Sequence, residues 1–183
     1  MNEPLPPQFE RYQQRSLVAG LVLMALCVAG GFHDWTQFFR SYLVAFIFWT
    51  GVGLGCLAIL MLHHMVGGRW GFALRRLLES GSKTLFLMGA LVIPLLFSLP
   101  RLYSWASPGA STDALSPFKR FYLNTPFFLG RTVFYFAAWM ALVYFLNKWS
   151  TDQDRTGDPG ILRRLQNLSG PGLLIYGLTV TYA

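Results

Sequence analysis

The run SYLVAFIFWTGVGLGCLAILML, residues 41–62, contains no Lys, Arg, Asp or Glu. A charge-free run this long does not suit a soluble surface, whereas a helix crossing about 30 Å of hydrocarbon needs roughly 17–25 such residues. Residues 16–32, 84–100 and 132–147 (SLVAGLVLMALCVAGGF, TLFLMGALVIPLLFSLP and TVFYFAAWMALVYFLN) are equally free of charge. Composition agrees: 54% of the 183 residues are hydrophobic and 13% charged, against about 25% charged in a typical soluble domain. The expected fold class is an all-α integral membrane protein. It is a multi-span helix bundle with four complete transmembrane helices plus a truncated fifth. The expected spans are residues 16–32, 41–65, 82–100, 128–147 and 169–183, behind a polar leader of residues 1–15 that is mobile or lies on the surface. That leader and the spans that follow argue against a cleaved signal peptide.

The fifth span is expected to start at Ser169 as N-cap, with Pro171 in the first turn. A helix from there to Ala183 measures about 22 Å, short of a bilayer, and its last carbonyls would lack partners in lipid. The expectation is the N-terminal portion of a longer protein.

The net charge is +7, and its placement points to topology rather than to nucleic acid. Arg11, Arg15, Arg69, Arg75, Arg76, Lys83, Lys148, Arg155, Arg163 and Arg164 fall on the side of the N-terminus. Arg40, Arg101, Lys119, Arg120 and Arg131 fall on the other. The positive-inside rule then puts the N-terminus in the cytoplasm. A short outer turn around His33–Arg40 joins spans one and two. A basic inner segment, Gly67–Lys83, joins spans two and three. Its stretch WGFALRRLLE, with Trp70, Leu74, Leu77 and Leu78 at helical spacing, reads as an interfacial helix or as the start of span three. The long outer connection Arg101–Gly130 carries Tyr103, Trp105, Phe118, Phe121 and Tyr122, rings suited to a membrane–water interface. Residues 148–168 read as a polar inner connection.

GVGLGCLAILMLHHMVGGRW, residues 51–70, superficially suggests a phosphate loop or a haem ligand pair. The third glycine of a dinucleotide fingerprint is replaced by Cys56, and a Walker Gly-Lys-Ser/Thr is absent. The only other histidine, His33, belongs to the outer end of span one, most of a bilayer away from His63 and His64, so this chain alone cannot supply a bis-histidine haem. Cys27 and Cys56 form no C-x-x-C pair and are expected as small buried residues. Helix packing remains: Gly51 and Gly55 make a G-x-x-x-G pair, and Gly53 adds a third small residue.

Ionisable groups at membrane depth are costly and are functional candidates. Arg75 and Glu79 stand at i,i+4, and Arg76 and Glu79 at i,i+3, so either arginine can pair with the carboxylate on one helical face. Glu79 is the only carboxylate expected near an inner helix end in spans one to four. The pair reads either as an interfacial ion pair or as a proton-entry or quinone-headgroup site. His63 and His64 read as interfacial anchors or as a proton relay, since histidine titrates near neutral pH. No Ser-His-Asp, Cys-His or paired-carboxylate constellation is visible, so no catalytic, cofactor-binding or metal-ligating residue is assigned.

Three stretches carry a resemblance that covers most of residues 41–183. They are SYLVAFIFWTGVGLGCLAILMLHHMVGGRWGFALRRLLE, KRFYLNTPFFLGRTVFYFAAWMALVYFLNKWSTDQDRTGDP and LSGPGLLIYGLTVTYA. The more specific patterns are YLN-x-x-FF-x-x-R (Tyr122, Leu123, Asn124, Phe127, Phe128, Arg131) and S-x-x-Q-D-x-T-G-D (Ser150 to Asp158). The chain resembles the F-type membrane subunit of alternative complex III, the bacterial quinol:electron-acceptor oxidoreductase. The arrangement of Trp70, Arg76 and Glu79 is also similar to the related polysulfide reductase/NrfD membrane subunits. The resemblance implies a protein of about ten helices in the bacterial inner membrane, a non-catalytic subunit without a redox centre that supports quinol oxidation and helps move protons. It implies partner subunits: a second quinol-type membrane subunit, an iron–sulfur subunit and c-type haem subunits. Haem c, iron–sulfur clusters and quinol are expected in those partners. A stand-alone transporter or channel and a purely structural membrane anchor are the alternative readings.

Overall fold

The computed structural model describes residues 7–32, 34–68, 73–103 and 122–183. His33, Arg69, Trp70 and most of the long outer connection, with Trp105, Phe118, Lys119, Arg120 and Phe121, lie outside the described residues. Among the described residues six helices follow one another: α1 (Pro7–Gly31), α2 (Trp35–Val66), α3 (Arg75–Phe97), α4 (Leu99–Leu102), α5 (Thr125–Thr156) and α6 (Pro159–Tyr182). No strand occurs among the described residues. Four helices are long and apolar enough to cross a membrane: α1 from Arg11, α2, α3 and α5. The chain is an all-α, multi-span membrane protein.

Its helices outrun the charge-free runs. α1 starts at Pro7, so residues 7–15 of the expected leader are helical backbone. α2 starts at Trp35 and absorbs most of the expected outer turn. α3 starts at Arg75, which makes the basic stretch before Lys83 the beginning of span three. α5 continues nine residues past Asn147 to Thr156. The expected inner connection of residues 148–168 thereby contracts to Gly157 and Asp158. Gly157 closes α5 in the left-handed region (φ +65°), its N–H donating to the Gln153 carbonyl, a conformation that costs glycine least. Asp158 then caps α6 by accepting from the Gly160 N–H at 2.8 Å, with Pro159 at the first helical position. This corrects the expected start at Ser169. Ser169 lies inside α6 and donates to the Leu165 carbonyl at 2.7 Å, and Pro171 is an internal proline. α6 has 24 residues rather than fifteen, about 36 Å.

The chain divides into two compact units, Met1–Leu43 and Val44–Ala183. In the first, the carboxylate of Asp34 caps α2 by accepting from the Thr36 and Gln37 N–H groups at 2.9 and 3.1 Å. Trp35 packs on Phe32, Phe38 and Phe39. On α1, Leu17, Leu21, Met24 and Leu26 are exposed, an apolar surface suited to lipid tails. Cys27 is also exposed there, against the expectation of a buried residue.

In the second unit, Leu57, Leu60, Met61, Leu85, Val143, Leu146 and Leu165 are fully enclosed. One buried polar pair links helices directly: the Trp139 indole N–H donates to Thr179 Oγ1 at 2.8 Å. Close approach of α2 to α3 rests on two glycines. A Cβ on Gly53 would stand 2.9 Å from Thr84 Oγ1 and 3.1 Å from Leu85, and one on Gly81 would stand 2.6 Å from Cys56 Sγ. Gly51 and Gly55 meet nothing within 4 Å among the described residues. Of the three glycines expected to pack helices, Gly53 makes the contact with α3, while Gly51 and Gly55 share another face of α2.

Candidate functional site

The first turns of α3 place Arg75, Arg76, Glu79 and Ser82 three or four residues apart, hence along one face. α5 contributes Asn147, Ser150 and Asp154 with the same period. Where the two faces meet, a polar cluster lies at one end of an otherwise apolar bundle. Glu79 is buried, its side chain 5% exposed. A buried carboxylate needs paired charge and hydrogen-bond donors to offset its lost hydration. Here Arg75 Nε is 3.3 Å from Oε1, Arg76 Nη1 is 2.9 Å from Oε2, and the Ser150 hydroxyl donates to Oε1. Both arginines also reach across to Asp154, Arg75 Nη2 to Oδ1 and Arg76 Nη2 to Oδ2. Two guanidinium groups thus face two carboxylates, with no net formal charge.

Exposure falls steadily through the cluster: 61% for the Arg76 side chain, 33% for Asp154, 13% for Arg75 and 5% for Glu79. The outer members are open and the inner ones enclosed. Deeper still, Ser82 donates to the Glu79 backbone carbonyl at 2.9 Å. Asn147 Nδ2 donates to the Val143 carbonyl at 2.8 Å and stands 3.5 Å from Ser82 Oγ. Asn147 Oδ1 is buried without a hydrogen-bond partner among the described residues.

His63 and His64 end α2, their ring centroids 5.8 Å apart. Both are buried. His64 lies within electrostatic reach of Arg75 and Glu79, and its Nε2 is buried without a hydrogen-bond partner among the described residues. The sequence-derived candidates His63, His64, Arg75, Arg76 and Glu79 therefore include the cluster's α3 half. Asp154, Ser150, Ser82 and Asn147 were not among them. Asp154 overturns the expectation that Glu79 is the only carboxylate near an inner helix end. The signal for the α5 half was present as N-x-x-S-x-x-x-D, residues 147–154, but a polar tail after an apolar run reads as a loop.

A comparison with protein-family models finds no match, and neither does one with curated proteins.

Proposed function

We propose that this chain is a cofactor-free membrane subunit of a bacterial respiratory quinol:electron-acceptor oxidoreductase, of the alternative complex III type, and that the α3–α5 cluster handles protons at the cytoplasmic face. The carrying observation is a buried carboxylate, Glu79, held in a graded polar path inside an apolar bundle. Ionisable groups in that setting are functional-site candidates by default. Asp154 is the water-facing member and Glu79 the enclosed one. Ser150, Ser82 and Asn147 continue the polar face inward, and two further buried polar atoms, His64 Nε2 and Asn147 Oδ1, have no hydrogen-bond partner among the described residues. The resemblance of residues 41–183 to the alternative complex III family supplies the quinol-oxidising context and the haem and iron–sulfur partners.

The first test is to tag the full-length protein at its native locus, extract it in mild detergent and record the visible spectrum. The expected result is co-purified c-type haem that added quinol reduces. A colourless protein purifying alone would sink the assignment and bring the transporter reading forward. The second test is Glu79→Gln in the reconstituted complex, expected to abolish proton movement while quinol oxidation persists.

One observation favours a second reading. Both Glu79 oxygens are already engaged, by Arg75, Arg76 and Ser150, as a structural clamp between α3 and α5 requires. Unchanged proton movement in Glu79→Gln, with lowered stability, would select that clamp.

A further inference from the structure

The opposite end of α5 holds a cation that no described residue compensates. Arg131 lies six residues into α5, about 9 Å along its axis. The 32 residues of α5 measure about 48 Å, so a centred helix overhangs a hydrocarbon layer of about 30 Å by about 9 Å at each end. That depth puts Arg131 at the border between acyl chains and headgroups. Its guanidinium carbon is 4.1 Å from the Tyr122 ring centroid, 5.5 Å from that of Phe128 and 5.9 Å from that of Phe127. The Tyr122 hydroxyl donates to the Tyr182 carbonyl at 2.9 Å, which ties this cage to the last turn of α6.

Ring faces attract the cation, but they offer no conventional acceptor to its five N–H donors. Arg131 makes no hydrogen bond or ion pair with any described residue, and its Nη1 is buried. A half-buried guanidinium at headgroup depth, oriented by rings and lacking an acceptor, matches a phosphate oxyanion, which accepts two parallel N–H donors from one arginine. A quinone carbonyl would supply an acceptor but no charge. The neighbours Val133 and Phe134 are exposed and apolar, a surface suited to acyl chains, which favours a lipid as the source of the oxyanion at this depth. We propose that Arg131 and its aromatic cage hold the phosphate of one phospholipid headgroup. This site rests on the membrane architecture and stands independently of the respiratory reading.

The test uses the full chain, delipidated in detergent and titrated by native mass spectrometry. The probes are phosphatidylglycerol, a diacylglycerol with the same acyl chains, and inorganic phosphate. The wild type should bind one phosphatidylglycerol saturably and prefer it to the diacylglycerol. Arg131→Gln, checked for helicity by circular dichroism, should weaken that site by about tenfold or more, since even one lost charge-assisted hydrogen bond is worth that much. Arg131→Lys should fall between the two. Equal binding of the diacylglycerol by the wild type would overturn the proposal without recourse to any variant, as would unchanged lipid affinity in a folded Arg131→Gln. Arg131-dependent binding of inorganic phosphate at the same site would make the ligand a soluble anion and overturn the lipid assignment. Release of a co-purifying acidic protein by Arg131→Gln, with lipid binding intact, would assign the guanidinium to a protein carboxylate instead.

Discussion

Glu79 and Asp154 share the same two arginines but differ in what surrounds them, and that difference should be measurable. Removing the buried charge with Glu79→Gln leaves two guanidinium groups facing one carboxylate in a poorly hydrated site. Breaking a buried pair in this way costs roughly 3–5 kcal/mol. Asp154 is partly solvated, and Asp154→Asn should cost about 1 kcal/mol or less, as exposed pairs do. Thermal unfolding in detergent would rank the two, and equal losses would mean that water reaches Glu79 as freely as it reaches Asp154. The Arg75–Glu79 and Arg76–Glu79 contacts were legible in the sequence, because helical spacing alone brings those residues together. Asp154 was not, since 79 residues separate it from Arg75 and no local rule joins them.

Among the helices, rotation matters as much as composition. Gly51→Leu and Gly53→Leu place the same side chain two residues apart on α2, yet only the second meets Thr84 and the enclosed Leu85. Gly53→Leu should destabilise the bundle by about 1–3 kcal/mol through overpacking, while Gly51→Leu should be near neutral. Comparing their unfolding midpoints decides it, and matching midpoints would count against the α2–α3 approach described above. The sequence located every long apolar helix because each carries an uncharged run. It misplaced their ends because α3 and α5 continue through charged residues that find partners on each other. The start of α6 was missed for a related reason. Ser169 with Pro171 carries the same initiation chemistry as Asp158 with Pro159, but only Asp158 follows a glycine that has closed the previous helix. Gly157→Ala should therefore cost about 1 kcal/mol, since alanine is strained at a positive φ; no loss on unfolding would show that the turn relaxes.

At the scale of the whole molecule, α5 is long and apolar enough to put its two ends on opposite sides of a bilayer. In a chain whose Cys27 and Cys56 are replaced by alanine, Thr156→Cys should react with an impermeant thiol reagent only from the cytoplasm. Thr125→Cys should react only from outside. The reverse pattern would invert the orientation drawn from the Lys/Arg balance. The arginine–carboxylate cluster also bears on how the protein is made. Its α3 half carries two positive charges and one negative, its α5 half one negative charge, and 79 residues separate Arg75 from Asp154. At roughly 5–20 residues per second of synthesis, α3 exists for about 4–16 s before its counter-charge emerges from the ribosome. Until then its charged end is better housed in water or beside the insertion machinery than in lipid. The timetable of translation thus makes the arrival of α5 the event that lets the charged end of α3 settle.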